Sequence, residues 1–470
     1  MCKLIEHYGN FHGVGQGLFI SGKVQFDKES SFDYIYDCGT LRKKAQQILE
    51  MHIKKEVDRL EGKPLDILFL SHLHWDHVSG LSMLLKSLQP QNGSGKSEEK
   101  AIKIKKVVLP YLYPAERVVV MATARQYLEN EEDLGWYTDF LARPGEFLRK
   151  KGVEDVVFVR GGDSGSPERN EPNPSDLLNN SHGSRGSQEQ NLSLPVNVHK
   201  DMLGDKEIDN IKNEEKEING DTFDGSLTLV SSRSFLYICN WFFYFFNKDV
   251  NASQINNFLC NFKIICQKKS LIDILLDKNL CAEIKEKYKN LMKPGSLNDS
   301  SLAVLSTCNV APQTETVFYN NYVAGSCSPY ECYFSRIQLR HLYDIADLRP
   351  FCRLHPIPES MIQAGFTYTG DLPLTEEGLW TRFSQRFGLE QGGQKTLVLA
   401  YQVPHHGSKK NWHAQQAKLE GDTTYVVSAG ILNKYGHPAT EVFRDVAAAN
   451  KRLVWVNEDC SFPNYLRIER

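Results

Sequence analysis

The sequence predicts an α/β fold, and three observations predict it. Apolar runs of strand length alternate with amphipathic stretches of helical period. Some of those runs, such as LDILFL, are apolar but for a single residue, the pattern of strands buried on both faces. Histidines and aspartates gather directly after several runs, at the strand ends where α/β folds collect functional groups.

LFISGK and FDYIYDCG read as the opening strands. AQQILEMHIKKEVDRL carries a helical pattern through Ile48, His52 and Val57 before the strand LDILFL. Val78, Leu81, Leu85 and Leu88 recur at helical intervals, so SHLHWDH sits on a strand-to-helix turn. IKKVVLPYLY and VEDVVFVRGG are further strands, with two helices expected between Glu116 and Lys151. Farther on, SLTLVSSRSFLYICNWFFYFF reads as a pair of strands, and Ala252 to Met292 as helical. LNDSSLAVLS, GFTYTGDL, TLVLAYQ, TTYVVSAGI, RLVWVN and YLRIER supply the later strands, with a helix entered near Pro438.

This rhythm breaks twice. Residues 163–224 are rich in Ser, Asn, Gly, Pro and Glu, and are expected to form a flexible low-complexity insertion. Its His182 and His199 are therefore poor ligand candidates. Residues 307–362 show no clear period and are expected to be a second insertion. Residues 1–162 and 363–470 then read as two halves of one domain, and 225–306 as its middle strands and helices.

Composition excludes several classes. The chain has 470 residues, 41% hydrophobic and 24% charged, as soluble globular proteins do. A net charge of −3 gives no global basic character for nucleic-acid binding. Eleven cysteines include no CxxC pair, so neither a disulfide framework nor a cysteine-ligated zinc is indicated, and Cys327 with Cys332 is poorly spaced for one. The start MCKLIEHYGNFHG lacks the apolar core of a secretory signal. FLYICNWFFYFF is too short to span a bilayer, so a cytoplasmic protein with no membrane partner is expected.

The chemistry concentrates in SHLHWDH. Side chains two apart on extended backbone project to one side, so His72 and His74 can converge on one cation. Asp76 and His77 follow the turn and can face a second. Mixed imidazole and carboxylate ligands suit zinc first and manganese or iron second. Four residues cannot close two shells, and Asp371 in TGDLP and His405 and His406 in VPHHGS are the candidates to complete them.

HLHWDH resembles the HxHxDH signature of the metallo-β-lactamase superfamily. GVGQGLFI, YDCGT, SHLHWDHVSG, NDSSLAVL, TGDLP, VPHHGS and SAGILNKYGHP follow in an order similar to the hydrolase domain of competence-type DNA-uptake channels and their stand-alone soluble relatives. The resemblance implies an αββα sandwich, two β-sheets face to face with helices outside. It implies two divalent ions, zinc or manganese: His72 and His74 on the first, Asp76 and His77 on the second, Asp371 bridging. One of His405 and His406 completes the second site, and the other is an outer donor or gives a proton to the leaving group. Asp37 orients a ligand histidine, and His437 lies at the rim. The further histidine that many members place before the bridging aspartate has only His341 and His355 as candidates here.

The implied function is two-metal hydrolysis of phosphodiesters in nucleic acid or a nucleotide, by a bridging hydroxide. Lys409 and Lys410 are placed to receive a phosphate. The alternatives are an ester, lactone, thioester or amide hydrolase, or a partner-gated subunit of a bacterial defence-type system that binds a protein through the insertions. Redox chemistry is disfavoured, because the oxygen-reducing branch carries glutamate where His74 stands.

Overall fold

The structure is a computed structural model that describes residues 4–26, 30–41, 43–89, 102–128, 130–161, 194–219, 228–248, 252–266, 269–292, 300–310, 315–320, 353–354, 361–390, 393 and 395–469. The first third holds β1 (Leu4–Phe11), β2 (Phe19–Phe26), β3 (Ser30–Cys38), α1 (Lys43–Arg59), β4 (Leu65–Phe69), α2 (Trp75–Val78), α3 (Leu81–Ser87) and β5 (Ile104–Pro110). It continues through α4 (Pro114–Ala124), α5 (Glu131–Ala142), α6 (Pro144–Lys150) and β6 (Val153–Arg160). The middle holds β7 (Asn197–His199), α7 (Asp205–Asn219), β8 (Thr228–Ser231), β9 (Phe235–Ile238), β10 (Trp241–Asn247), α8 (Ala252–Cys266), α9 (Leu271–Leu276), α10 (Lys278–Leu291) and β11 (Leu302–Asn309). After these come β12 (Glu315–Asn320), β13 (Arg353–Leu354), β14 (Gln363–Tyr368), α11 (Leu379–Arg386) and β15 (Thr396–Gln402). The last are β16 (Thr424–Ser428), α12 (Thr440–Ala448), β17 (Arg452–Val456) and β18 (Phe462–Glu469).

Two sheets result. One runs β13-β12-β18-β1-β2-β3-β4-β5-β6-β8 and the other β17-β16-β15-β14-β11-β10-β9-β7. Ile20, Tyr34, Phe69 and Val108 of the first meet Phe243, Val304, Phe366 and Val426 of the second in one shared core. A second core lies between the first sheet and α1, α4, α5 and α8–α10, and a third between the second sheet, α11 and α12. The α/β expectation therefore holds, with the layers ordered helix, sheet, sheet, helix.

The aromatic run explains itself in this setting. Trp241, Phe243 and Phe245 of β10 point into the inter-sheet core, while Phe242, Tyr244 and Phe246 point into the outer one. A strand buried on both faces has no polar side to show, which is why its period 2 is hidden in sequence.

Three expectations differ from what is observed. The segment expected to be flexible contains β7, which pairs with β9, and α7, whose Ile211 is fully buried. Glu215 of α7 pairs with Arg117 of α4, and accepts a 3.0 Å hydrogen bond from the Tyr111 hydroxyl. A polar sequence thus docks through three isoleucines, Ile208, Ile211 and Ile218, and one buried ion pair, a pattern too sparse for composition to reveal. Three helices, not two, fill the stretch before Lys151, because Arg143 and Pro144 divide one helical pattern in two. Within the second insertion, β12 pairs with β18 along six residues. Residues 321–352 and 355–360, with His341, His355, Cys327 and Cys332, lie outside the described residues, as does His182. Among the described residues no helix is long and apolar enough to cross a membrane.

Two histidines are buried without charge in this frame. His7 lies against Trp241 and Phe366 and hydrogen-bonds the Tyr34 hydroxyl at 2.9 Å, and burial pulls its pKa down to about 3. Burial, then the charges of Arg59 and Lys55, pull His12 down to about 3 as well. The unfolded chain therefore takes up these protons first. Their contribution is complete above about pH 6.5 and is lost as pH falls from there towards 3, at up to about 1.4 kcal/mol per pH unit for each group. Urea unfolding of His7→Phe between pH 6 and 4 is expected to show a pH slope shallower by about one proton than wild type. An unchanged slope would mean that His7 is charged in the folded state.

Candidate metal centre

Parallel strands bring the site together. β4 lies in the first sheet beside parallel β3 and β5, and β14, β15 and β16 lie parallel in the second. His72, Asp371 and His405 each follow the C-terminal end of one of these strands, so one end of the sandwich collects them all. The turn bearing Asp76 is held from below. Leu18 N donates to Asp76 O at 3.3 Å, and Gly80 N donates to Cys38 O at 2.9 Å. Gly39 has to be glycine, because a Cβ there would collide with the Asp76 carbonyl.

Four imidazoles are tethered through Nδ1. His77 Nδ1 donates to Asp37 Oδ2 at 2.7 Å, and His406 Nδ1 donates to Ser428 O at 2.7 Å. Asp37 is fully buried and also accepts from Ser71 N at 2.6 Å and Ser71 Oγ at 2.5 Å. With its hydrogen committed there, Ser71 Oγ accepts from His72 Nδ1 at 3.0 Å. His405 Nδ1 lies 2.9 Å from Asn411 Oδ1. His74 stands edge-on to His72, their ring centroids 4.8 Å apart.

These tethers turn the four Nε2 atoms onto two carboxylates. His72 Nε2 lies 3.4 Å from Asp371 Oδ2, and His77 Nε2 lies 3.4 Å from Asp371 Oδ1. His406 Nε2 lies 3.2 Å from Asp76 Oδ2, and His405 Nε2 lies 3.7 Å from Asp371 Oδ2. His72 Nε2, His77 Nε2 and Asp371 Oδ1 are buried without a hydrogen-bond partner. An imidazole lone pair facing a carboxylate oxygen is repulsive unless a proton or a cation lies between them.

The protonation equilibria carry the same imprint. Burial works to lower the His77 pKa, but Asp371, Asp37 and Asp76 hold it well above the ordinary value. Burial works to raise Asp76 and Asp371, yet His77 and His406 hold the first below the usual carboxylate range, and His405, His77 and His72 hold the second well below it. Burial and the neighbouring His72 bring His74 down to about 3. The carboxylates thus raise His77 and His406 while burial keeps His72 and His74 low.

The donor set fits divalent cations. Asp76, His77, Asp371 and His406 offer ligand atoms all within 4.8 Å of one another, and so do His72, His74 and Asp76. His72, His77 and His406 each present Nε2, a nitrogen that a metal takes, with Nδ1 tied back. Residues 30–186 match the sequence model of the metallo-beta-lactamase superfamily. The match spans Asp37 and the run from His72 to His77, and the superfamily generally comprises hydrolytic metalloenzymes. No curated protein matches the chain. Asp371 and His406, which the fold brings into the same cluster, lie beyond the matched residues.

Between the two histidines of VPHHGS, the geometry puts His406 in the cluster and leaves His405, partly exposed, at its edge. His437 stands beside both, its ring centroid 5.7 Å from His405 and 6.5 Å from His406, and burial lowers its pKa to about 4. Lys409 and Lys410 are exposed just past it. His199 is elsewhere, stacked on Phe235 at 4.6 Å. Sequence reading missed Ser71, although it directly precedes His72, and Asn411, for which no local signal exists.

Asp37→Asn keeps the shape of the side chain but loses the charge that holds the Nδ1 protons of His77 and, through Ser71, of His72. Zinc affinity by chelator competition is expected to fall about 10–100-fold, and Ser71→Ala less. Wild-type affinity in Asp37→Asn would show that these tethers do not tune the site.

Proposed function

We propose that the chain is a two-metal-dependent hydrolase of phosphodiester bonds in nucleic acid or a nucleotide. The observation that carries the metal dependence is the opposition of tethered Nε2 atoms to the oxygens of Asp76 and Asp371. His72 and His74 would hold one ion, Asp76, His77 and His406 the other, and Asp371 would bridge. Zinc suits this donor set, with manganese as second choice. Bound there, the ions supply Lewis-acid charge for a phosphoryl oxygen and acidify a water.

The chain's own residues do the rest. Asp37 and Ser71 keep His77 and His72 in the tautomer that presents Nε2. His437, uncharged near neutrality, lines the approach beside His405 without adding positive charge there. Lys409 and Lys410, three and four residues beyond His406, offer ammonium groups to the substrate phosphates. The ordered motif series, similar to the hydrolase domain of DNA-uptake channels, supports the phosphodiester over a carboxylic ester, lactone, thioester or amide. A protein partner bound through the insertions remains a separate proposal.

Purified protein loaded with Zn²⁺ or Mn²⁺ is expected to hydrolyse bis-(p-nitrophenyl) phosphate. Asp371→Ala and His406→Ala are each expected to lose more than about 100-fold, beyond the usual cost of an outer-shell loss. A metal-loaded wild type that cleaves p-nitrophenyl acetate but no phosphodiester would transfer the centre to carboxyl chemistry.

A further inference from the structure

Asn411 is a buried amide with every polar group engaged. Its Nδ2 donates to the backbone carbonyls of Asp371 at 2.8 Å and Leu372 at 3.2 Å. Its own N donates to Ser408 O at 3.0 Å, and its carbonyl accepts from Gln416 Nε2 at 3.3 Å. Only 4% of the residue is exposed. Two carbonyl oxygens can face only the NH₂ end of the amide, so the end that meets His405 Nδ1 at 2.9 Å has to be Oδ1. An amide oxygen only accepts, so His405 Nδ1 carries the hydrogen and Nε2 is the nitrogen left to the metal centre, 3.7 Å from Asp371 Oδ2.

We propose that Asn411 is a positioning residue. It fixes the tautomer of His405 and ties that imidazole to the loop that carries Asp371. One side chain thereby sets the distance between the carboxylate at the heart of the cluster and the partly exposed histidine at its edge. The other three tethered imidazoles take their acceptor from β3, from the residue before His72 or from β16. His405 alone takes it from an amide that also grips the Asp371 backbone. The backbone adds a second tie, since His405 N donates to Gly370 O at 3.0 Å. Here the brace serves the geometry of the proposed hydrolysis, and in that respect it rests on the reading given above.

The test separates the two claims. Protein labelled with ¹⁵N in its histidines is prepared as wild type, Asn411→Ala and Asn411→Asp, with His405→Gln to assign the resonances. Long-range ¹H–¹⁵N spectra at about pH 8, where an ordinary imidazole is neutral, report which nitrogen bears hydrogen. Wild type and Asn411→Asp, which both keep an acceptor, are expected to show the Nδ1–H form of His405. Asn411→Ala is expected to lose it, with kcat lower by about 10–100-fold and KM little changed, while Asn411→Asp, which keeps the acceptor but cannot donate to the Asp371 and Leu372 carbonyls, is expected to keep the tautomer and still lose kcat. A merely structural role would lower the melting temperature of both variants and leave the tautomer alone.

An unchanged His405 signature in Asn411→Ala overturns the proposal whatever the activity does. A shifted signature with wild-type kcat overturns the part that concerns the reaction. A metal-loaded wild type that turns over no phosphodiester sinks the assigned reaction instead, and the spectra then decide the role of Asn411 alone. If Asn411→Ala does not fold, Asn411→Leu, which fills the same volume without an acceptor, takes its place under the same criteria.

Discussion

Asp37, Asp76 and Asp371 are three carboxylates taken out of water within one cluster. An uncompensated ionised carboxylate in such surroundings costs several kcal/mol. Asp37 is compensated locally by hydrogen bonds from Ser71 and His77. Asp76 and Asp371 are not, because the imidazoles around them have already given their Nδ1 hydrogens to Asp37, Ser71, Ser428 and Asn411. What remains between Nε2 and carboxylate oxygen is a demand for positive charge. Protons meet it in part, at His77 and His406, whose pKa values the carboxylates raise against burial. Divalent cations meet it with the geometry the tethers already impose.

Holding that arrangement strains the backbone. Asp37, His405 and His406 all adopt positive φ, at 57°, 47° and 55°, a region that side chains other than glycine rarely enter. Each such residue costs of order 1–3 kcal/mol and persists only where its surroundings over-determine it. They do so here. Asp37 is pinned through both oxygens, His406 through Ser428 O, and the following Gly407 accepts from Ala439 N at 2.9 Å. Glu61, Cys239 and Asn450 share that region elsewhere, but at Asp37 and His406 the strain falls on groups buried in the cluster, as it does at functional sites.

How much of this was legible depended on whether the signal was local. The strands flanking HLHWDH announced themselves as apolar runs, and the cluster's own spacing placed its side chains on one turn. Asp371 and His406, 295 and 330 positions beyond Asp76, were legible only because each sits in its own motif after a strand. The choice of His406 over His405 was not legible, since neighbours in sequence differ only in where a left-handed turn aims them. Asn411 was invisible for a related reason. Its partners are backbone carbonyls 39 and 40 positions away, and backbone groups leave no mark in composition. The docked helix α7 was hidden too, because Ile208, Ile211 and Ile218 are its only apolar residues and its ion pair to Arg117 reaches far along the chain.

Strand direction decides which neighbouring segments bear on the centre. β6 runs parallel to β4 through β5, so its C-terminal end, at Arg160, lies at the end of the sandwich that holds the site. β10 is antiparallel to β11, which is antiparallel to β14, so α8–α10 also depart from the site's end. The start of β11 confirms the sense: Leu302 N donates to Ser71 O at 2.6 Å, and Asp371 N donates to Ser301 Oγ at 3.3 Å. Its other end, Val310, is therefore remote from the cluster.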